Sequence, residues 1–232
     1  MNEEKFTGLA NIYDKYRSSY PNELINMLFS ITNAENVIDI GAGTGIFTRC
    51  LLKKSWNVTA VEPNHDMFKV LQDSLGNNVK LVNASAENTG IDEDSSADLI
   101  TAAQAFHWFD ENLFKNECIR LLKPNGKVAI IWNGRENCDL TTERNIICKK
   151  YCGLFHRGHT GKRSDTDGDA FLKNEYFREV DFFEFDNSRQ LSEDDFIGDN
   201  LSRSYALKET DSNYNNFVEE LRKLFHKYKK DN

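Results

Sequence analysis

Asp39, Gly41, Gly43 and Gly45 are the residues whose types and spacing carry the most chemistry. They lie in Val37-Ile38-Asp39-Ile40-Gly41-Ala42-Gly43-Thr44-Gly45, where an apolar strand runs into a glycine-rich turn and restarts as a helix at Ile46. Such a turn brings backbone N–H groups close to a ligand, and the helix start behind it favours a nucleotide-like group. A carboxylate in an otherwise apolar strand is costly to bury unless hydrogen-bonded, which marks Asp39 as a residue that orients the loop or its ligand. Glu62 lies 21 residues after Gly41 and ends the next strand, where a carboxylate can accept both hydroxyls of a ribose. The dinucleotide fingerprint G-x-G-x-x-G is not met, because the residue three after Gly43 is Ile46 and the third glycine comes one position early. That spacing argues against a nicotinamide dinucleotide dehydrogenase.

These residues need a frame of alternating elements, and the sequence supplies one. Strands are expected at 36–40, 58–61, 79–82, 97–102 and 127–132, the last a continuous apolar run suited to a buried parallel sheet. Between them helices are expected at 46–54, 64–75 and 111–122, the last stopped by Pro124-Asn125-Gly126. An earlier helix over 22–32 follows Pro21 and repeats Leu24, Ile25, Leu28 and Ile31 at helical spacing. Five alternations imply an α/β three-layer sandwich, with a mostly parallel Rossmann-like sheet between helices. Beyond Trp132 the rhythm changes: helices at 139–155, 191–203 and 213–228, a polar loop over 156–169, and a strand at Phe182-Phe183-Glu184-Phe185. With no repeat or low-complexity linker, the chain reads as a single domain over 1–232: lid helices at 1–32, a cofactor-binding core at 33–135, and substrate-side and C-terminal elements at 136–232.

The net charge of -8 disfavours a nucleic-acid partner. The charged start Met1-Asn2-Glu3-Glu4-Lys5 is not followed by an apolar leader, and no apolar run approaches the roughly 20 residues that span a bilayer, so no membrane association is expected. Five cysteines without paired spacing suit reduced thiols in a cytoplasmic protein. Cys148, Cys152 and His156 share a helical face with His159 nearby, but the spacing is poor for zinc, and they are read as core with no metal site. The basic run His156 to Arg163 is read as a solvated loop.

Asp39 two residues before G-x-G-x-G resembles motif I of the class I S-adenosylmethionine-dependent methyltransferases. Further segments resemble the same family in the same order: Glu62-Pro63 with Met67 after it, Ser85-Ala86-Glu87, Asp98 to Phe109, and Leu121 to Lys127. Near the start, Tyr13-Asp14-Lys15-Tyr16-Arg17-Ser18-Ser19-Tyr20-Pro21 is similar to the lid of its small-molecule branch, which includes trans-aconitate and ubiquinone or menaquinone methyltransferases. Ser202-Arg203-Ser204-Tyr205 is a fainter echo. The likeness runs over roughly residues 10–135. It implies S-adenosyl-L-methionine as cofactor, held by Asp39, Gly41, Ala42, Gly43, Gly45, Glu62, Pro63, Met67, Ala86, Glu87 and Gln104. Glu62 would take the ribose, Met67 would flank the adenine, and Gln104 would touch the methionine end or the acceptor. Tyr13, Tyr16, Arg17, Tyr20, Phe106 and Trp108 would form the lid and acceptor walls, and His107 is the candidate general base. The family's sheet ends in an antiparallel strand, for which no apolar segment remains after 213–228. Either the chain is cut short or the sheet closes in another way, and an open strand-five edge would favour lower stability or pairing between chains.

The expected reaction is methyl transfer by in-line displacement to a small-molecule acceptor bearing a carboxylate, hydroxyl or similar group, by a monomer or dimer. The alternatives are a nucleic-acid methyltransferase, which would usually carry an Asn/Asp-Pro-Pro-Tyr/Phe motif after strand four, and a cofactor-binding module without turnover.

Overall fold

The computed structural model describes residues 6–153, 177 and 179–230. Five parallel strands form one sheet in the order β3-β2-β1-β4-β5: β1 Asn36–Ile40, β2 Asn57–Val61, β3 Lys80–Val82, β4 Ala97–Ala103 and β5 Leu122–Ile131. Helices α1 Ala10–Tyr16 and α2 Asn22–Thr32 precede the sheet. α3 Ile46–Leu51, α4 His65–Leu75 and α5 Glu111–Leu121 connect its strands. α6 Asp139–Tyr151, α7 Glu193–Leu201 and α8 Tyr214–Tyr228 follow it.

The strand period of two decides the layers. Val37 joins Leu24, Ile25, Leu28, Phe47 and Leu51 on the α2–α3 side. Ile38 and Ile40 join Phe114, Cys118 and Leu121 of α5 on the other side. Asp39, sharing the face of Val37, is thereby aimed at Thr48 of α3. Local caps fix where helices begin: the Asn64 side chain accepts from the Met67 N–H, and Asp110 accepts from Asn112 and Leu113 N–H.

A separate core holds α6, α7 and α8 together through Cys148, Cys152, Phe196, Leu201, Phe217 and Leu221, with Ile12 of α1 against it. The two cysteines are thus packed in a core, as expected. His156, His159 and the basic run lie outside the described residues. At Gly198 of α7 a Cβ would stand 2.3 Å from the Tyr16 ring, so only glycine lets α1 lie this close.

Three expectations change. Residues 182–185 form no strand with the described residues: no ladder partner stands among these, and Phe182 and Phe183 are 55% and 46% exposed. β5 starts at Leu122 instead of after the Pro124-Asn125-Gly126 turn. Ala97 pairs with Leu122 and Leu99 with Lys127, so the turn bulges out of a strand already begun, with Asn125 at φ 70°. Helix α3 ends at Leu51, short of the expected 54. No antiparallel strand flanks β5 among the described residues; Phe177 and Phe185 pack against the cores on its two faces.

Candidate active site

The carboxyl ends of β1, β2 and β4 open into a cavity of about 900 Å³, which the N-terminal segment and the α6–α7 cap cover. This is where open parallel sheets bind ligands. The glycine turn is hooked onto β2 by Gly41 and Ala42 N–H bonds to the Val61 carbonyl, at 2.9 and 3.0 Å. Gly41 has φ +71° and passes so near Ala105 that a Cβ would lie 2.5 Å from its Cβ. Gly43 has φ +59° with open space where a Cβ would be, and its N–H donates to Glu62 Oε2 at 2.8 Å. Glu62 Oε1 accepts from the Asn64 N–H at 2.9 Å, so the carboxylate is clamped between the turn and the start of α4.

Asp39 is 1% exposed and accepts from Thr48 Oγ1 at 2.6 Å and Thr101 Oγ1 at 2.9 Å. Burial raises its carboxyl pKa to about 6, the two hydroxyl donors opposing the rise. Gln104, directly after β4, has φ 57°, a sparsely populated conformation for a side-chain-bearing residue. Its buried Nε2 has no hydrogen-bond partner among the described residues. Glu87 accepts from the Asp110 N–H, fixing the loop after β3 to the start of α5. Phe6 stands edge-on to Tyr13 and Trp108, roofing this side.

The cap side of the cavity is lined by cations. Asp199 Oδ2 accepts from Arg135 at 2.6 Å, and Arg203 donates to both Asp199 oxygens at 2.9 Å. Arg189 reaches Oδ1 at 3.4 Å and the Tyr16 carbonyl at 3.3 Å. Arg17 donates to the Ser202 carbonyl and rests 4.6 Å over the Tyr13 ring. Burial costs the Asp199 carboxylate, but Arg203, Arg135 and Arg17 outweigh that and hold its pKa far below the usual range. Burial, then Arg203 and Arg144, lowers Arg135 to about 9, which leaves it charged at neutral pH.

The cavity wall brings together Asp39, Gly41, Ala42, Gly43, Glu62, Pro63, Met67, Ala86, Glu87 and Gln104, with Tyr13, Arg17, Tyr20 and Trp108 of the expected lid. Four expected residues stand off it. Gly45 packs against Leu71 of α4. Phe106 is fully buried in the core beside Phe109 and Phe114. Tyr16 turns toward Gly198. His107 sits against the Trp108 and Trp132 rings, with centroids 4.5 and 5.1 Å away, so the expected base does not face the cavity. The arginines at 135, 144, 189 and 203 were not anticipated as wall residues; their sole signal was Arg203 in the Ser-Arg-Ser-Tyr echo.

The fold and turn define an α/β domain of Rossmann-like type, and the comparisons narrow the class. Residues 38–130 match the methyltransferase domain family. An uncharacterized methyltransferase of Mycobacterium tuberculosis is 37% identical over 131 residues, 56% of this chain and 53% of the relative. One from Schizosaccharomyces pombe is 36% identical over 135 residues, again 56% and 53%. The chain spans about half the length of the curated relatives it matches. A solved structure from Anaeromyxobacter dehalogenans, provisionally described as a type II methyltransferase, shares the fold at TM-score 0.61 and 23% identity, over 91% of this chain and 89% of that one. Over residues 38–130 the sheet region is thus similar to a methyltransferase domain. Among the described residues no helix is long and apolar enough to cross a membrane, and no group of three or more histidine, cysteine or acidic residues is placed to hold a metal.

Proposed function

We propose that the chain, as one domain, transfers a methyl group from S-adenosyl-L-methionine to a small molecule. The carrying observation is that one cavity holds both the Gly41–Gly43 turn clamped to Glu62 and a separate polar wall built by the cap. Its volume, about 900 Å³, is near the top of the range for small-molecule sites, which suits a cofactor with a second molecule beside it.

The residues fit this cofactor. Gly43 leaves open the space a side chain would fill, Glu62 is placed for ribose hydroxyls, and Met67 and Ala86 offer apolar contact for a purine. The orphaned Gln104 amide awaits an acceptor such as an amino-acid carboxylate. When bound, the cofactor supplies a methyl group on a sulfonium, whose departure as a neutral thioether makes in-line displacement feasible. The chain's part is to orient the partners and exclude water. Phe6, Tyr13 and Trp108 close over the site, and Asp39, ionised above about pH 6, places negative charge beneath the glycine turn.

Glu62→Ala removes the clamp on the Gly43 N–H and the hydroxyl acceptor together. S-adenosylhomocysteine affinity, measured by calorimetry, should fall by about 100-fold, as expected for two charge-assisted hydrogen bonds. Unchanged affinity in this variant sinks the assignment.

A further inference from the structure

One cation joins three elements around the glycine turn. The Arg49 side chain of α3 runs back along its helix, so its guanidinium lies over Gly45, with Nη1 3.8 Å from where a Cβ on that glycine would stand. Nη1 donates to the Thr44 carbonyl at 3.1 Å and to Ser74 Oγ of α4 at 3.3 Å. Nη2 donates to Asp14 Oδ1 of α1 at 2.7 Å. The Thr44–Gly45 peptide is thereby held at both ends, because its N–H donates to the Ala42 carbonyl at 2.9 Å. That bond closes the Ala42–Gly45 turn around Gly43, whose own N–H is aimed at Glu62.

The same cation fixes one side of α1. Asp14 follows Tyr13, which lines the cavity and meets Phe6 edge-on. Further back, the Gly8 N–H donates to Asp66 Oδ2 at 2.8 Å, a tether that ends on α4. The Asp14–Arg49 pair instead runs through to the turn. Its side chains are 30% and 35% exposed, so water screens the pair and it can break and reform. A guanidinium presents its donors in one rigid fork, so drawing Asp14 away with α1 frees the end that holds the Thr44 carbonyl. Arg49 itself is not on the cavity wall.

We infer that Arg49 is a positioning residue that ties the closed place of α1 to the shape of the cofactor turn, so that the turn holds its ligand firmly only while α1 is shut. This rests on the methyl-transfer reading. Coupling of this kind is reciprocal: a ligand that orders the turn favours the closed α1 by the same factor as the closed α1 tightens the ligand. Its effect falls chiefly on dissociation, where most differences among variants of one site lie. The residue acts through the turn and the lid, and not on the methyl group.

The test follows S-adenosylhomocysteine release from the whole chain by stopped-flow tryptophan fluorescence, Trp108 being on the cavity wall. Asp14→Asn should speed release about fivefold, the upper worth of a partly exposed ion pair, with the association rate little changed. Arg49→Gln, which also loses the turn contact, should speed it about tenfold or more, and Arg49→Lys should recover part of the loss. In the Arg49→Gln background, Asp14→Asn should add nothing, the mark of a shared contact. A spectroscopic signature needs no ligand. The Gly43 and Gly45 amide resonances of the free protein should shift in Asp14→Asn, although Asp14 bonds to Arg49 and to neither glycine. Asp14 is 30% exposed, so its replacement spares the fold even if that of Arg49 does not. Additive effects of the two substitutions, or unchanged release in Asp14→Asn, overturn this inference and leave methyl transfer standing. Unmoved Gly43 and Gly45 resonances overturn it as well. Failure of the unaltered protein to bind S-adenosylhomocysteine removes both readings.

Discussion

On its sheet side the cavity is shaped by backbone: a turn hooked to β2, positive-φ glycines, and two carboxylates whose partners are neutral donors. On its cap side it is shaped by side chains from α1, the 133–136 loop, the 187–191 loop and α7, and their sign is reversed, with cations surrounding one acid. A surface made from strand ends is carried by a short stretch of chain, and in the proposed function it is the part that would serve the cofactor. A wall made from helices of separate origin can be changed one side chain at a time, which in the same reading would set the choice of acceptor.

The strongest probe of that contrast is Asp199→Asn. Removing the shared counter-charge leaves Arg135, Arg189 and Arg203 to repel one another, at a cost of about 3–5 kcal/mol for a broken buried pair. Hydrogen exchange should show that loss in the α7 amides with β1 unaffected. Equal loss in β1 would make the two sides one cooperative unit and erase the distinction.

Next in size is a difference of sign with pH. Asp39, raised from 3.8 to about 6, binds its proton more tightly in the folded than in the unfolded chain. Its effect on stability is therefore best below about pH 4 and declines as pH rises to 6, by about 3 kcal/mol at 1.36 kcal/mol per unit. Asp199 runs the other way: its lowered pKa contributes stability above the unfolded value, and that contribution is lost as pH falls below about 4. Denaturant melts of the unaltered protein and of Asp39→Asn across pH 4–7 should differ in slope. Parallel curves would deny the buried ionisation.

The smallest effect expected is that of Gly198→Ala. The added methyl must displace the Tyr16 ring, at a cost of about 1–3 kcal/mol for overpacking, offset by about 1 kcal/mol of helix propensity. The readout is faster proteolysis near α1 without loss of S-adenosylhomocysteine binding. A fall in cofactor affinity as large as that of Glu62→Ala would mean that the lid belongs to the sheet side.

What was legible in the sequence follows the same division. Asp39, the glycines and Glu62 could be read because strand-then-turn geometry is local, and Glu62 is tied to the turn by a simple β-α-β offset. Arg17 is legible as part of the lid segment, but the arginines that meet it are not. Arg17 and Arg203 are 186 positions apart, and Arg135, Arg189 and Arg203 each look like ordinary surface cations until α1 and α7 pack. Phe182 to Phe185 has strand-like composition, but a strand exists only where a neighbour offers a ladder, and none does so among the described residues. His107 was singled out by type and loop position, whereas the rings of Trp108 and Trp132 decide where it sits. Pro124-Asn125-Gly126 lies just past the end of α5, as its turn residues imply, but those residues cannot announce that pairing has already begun at Leu122 and resumes beyond them.

Gly198 has a mechanical consequence. α1 carries Tyr13 and Arg17 toward the cavity and Tyr16 into the hollow that the missing side chain leaves on α7. Arg189 clasps the Tyr16 carbonyl from outside, so the helix is wedged and latched at the same residue. Swinging α1 aside then requires pulling an aromatic ring off a bare helix backbone, or dragging α7 along. α1 and the arginine wall are consequently held as one piece, so displacing Tyr13 from the cavity mouth would also disturb Arg189 and α7.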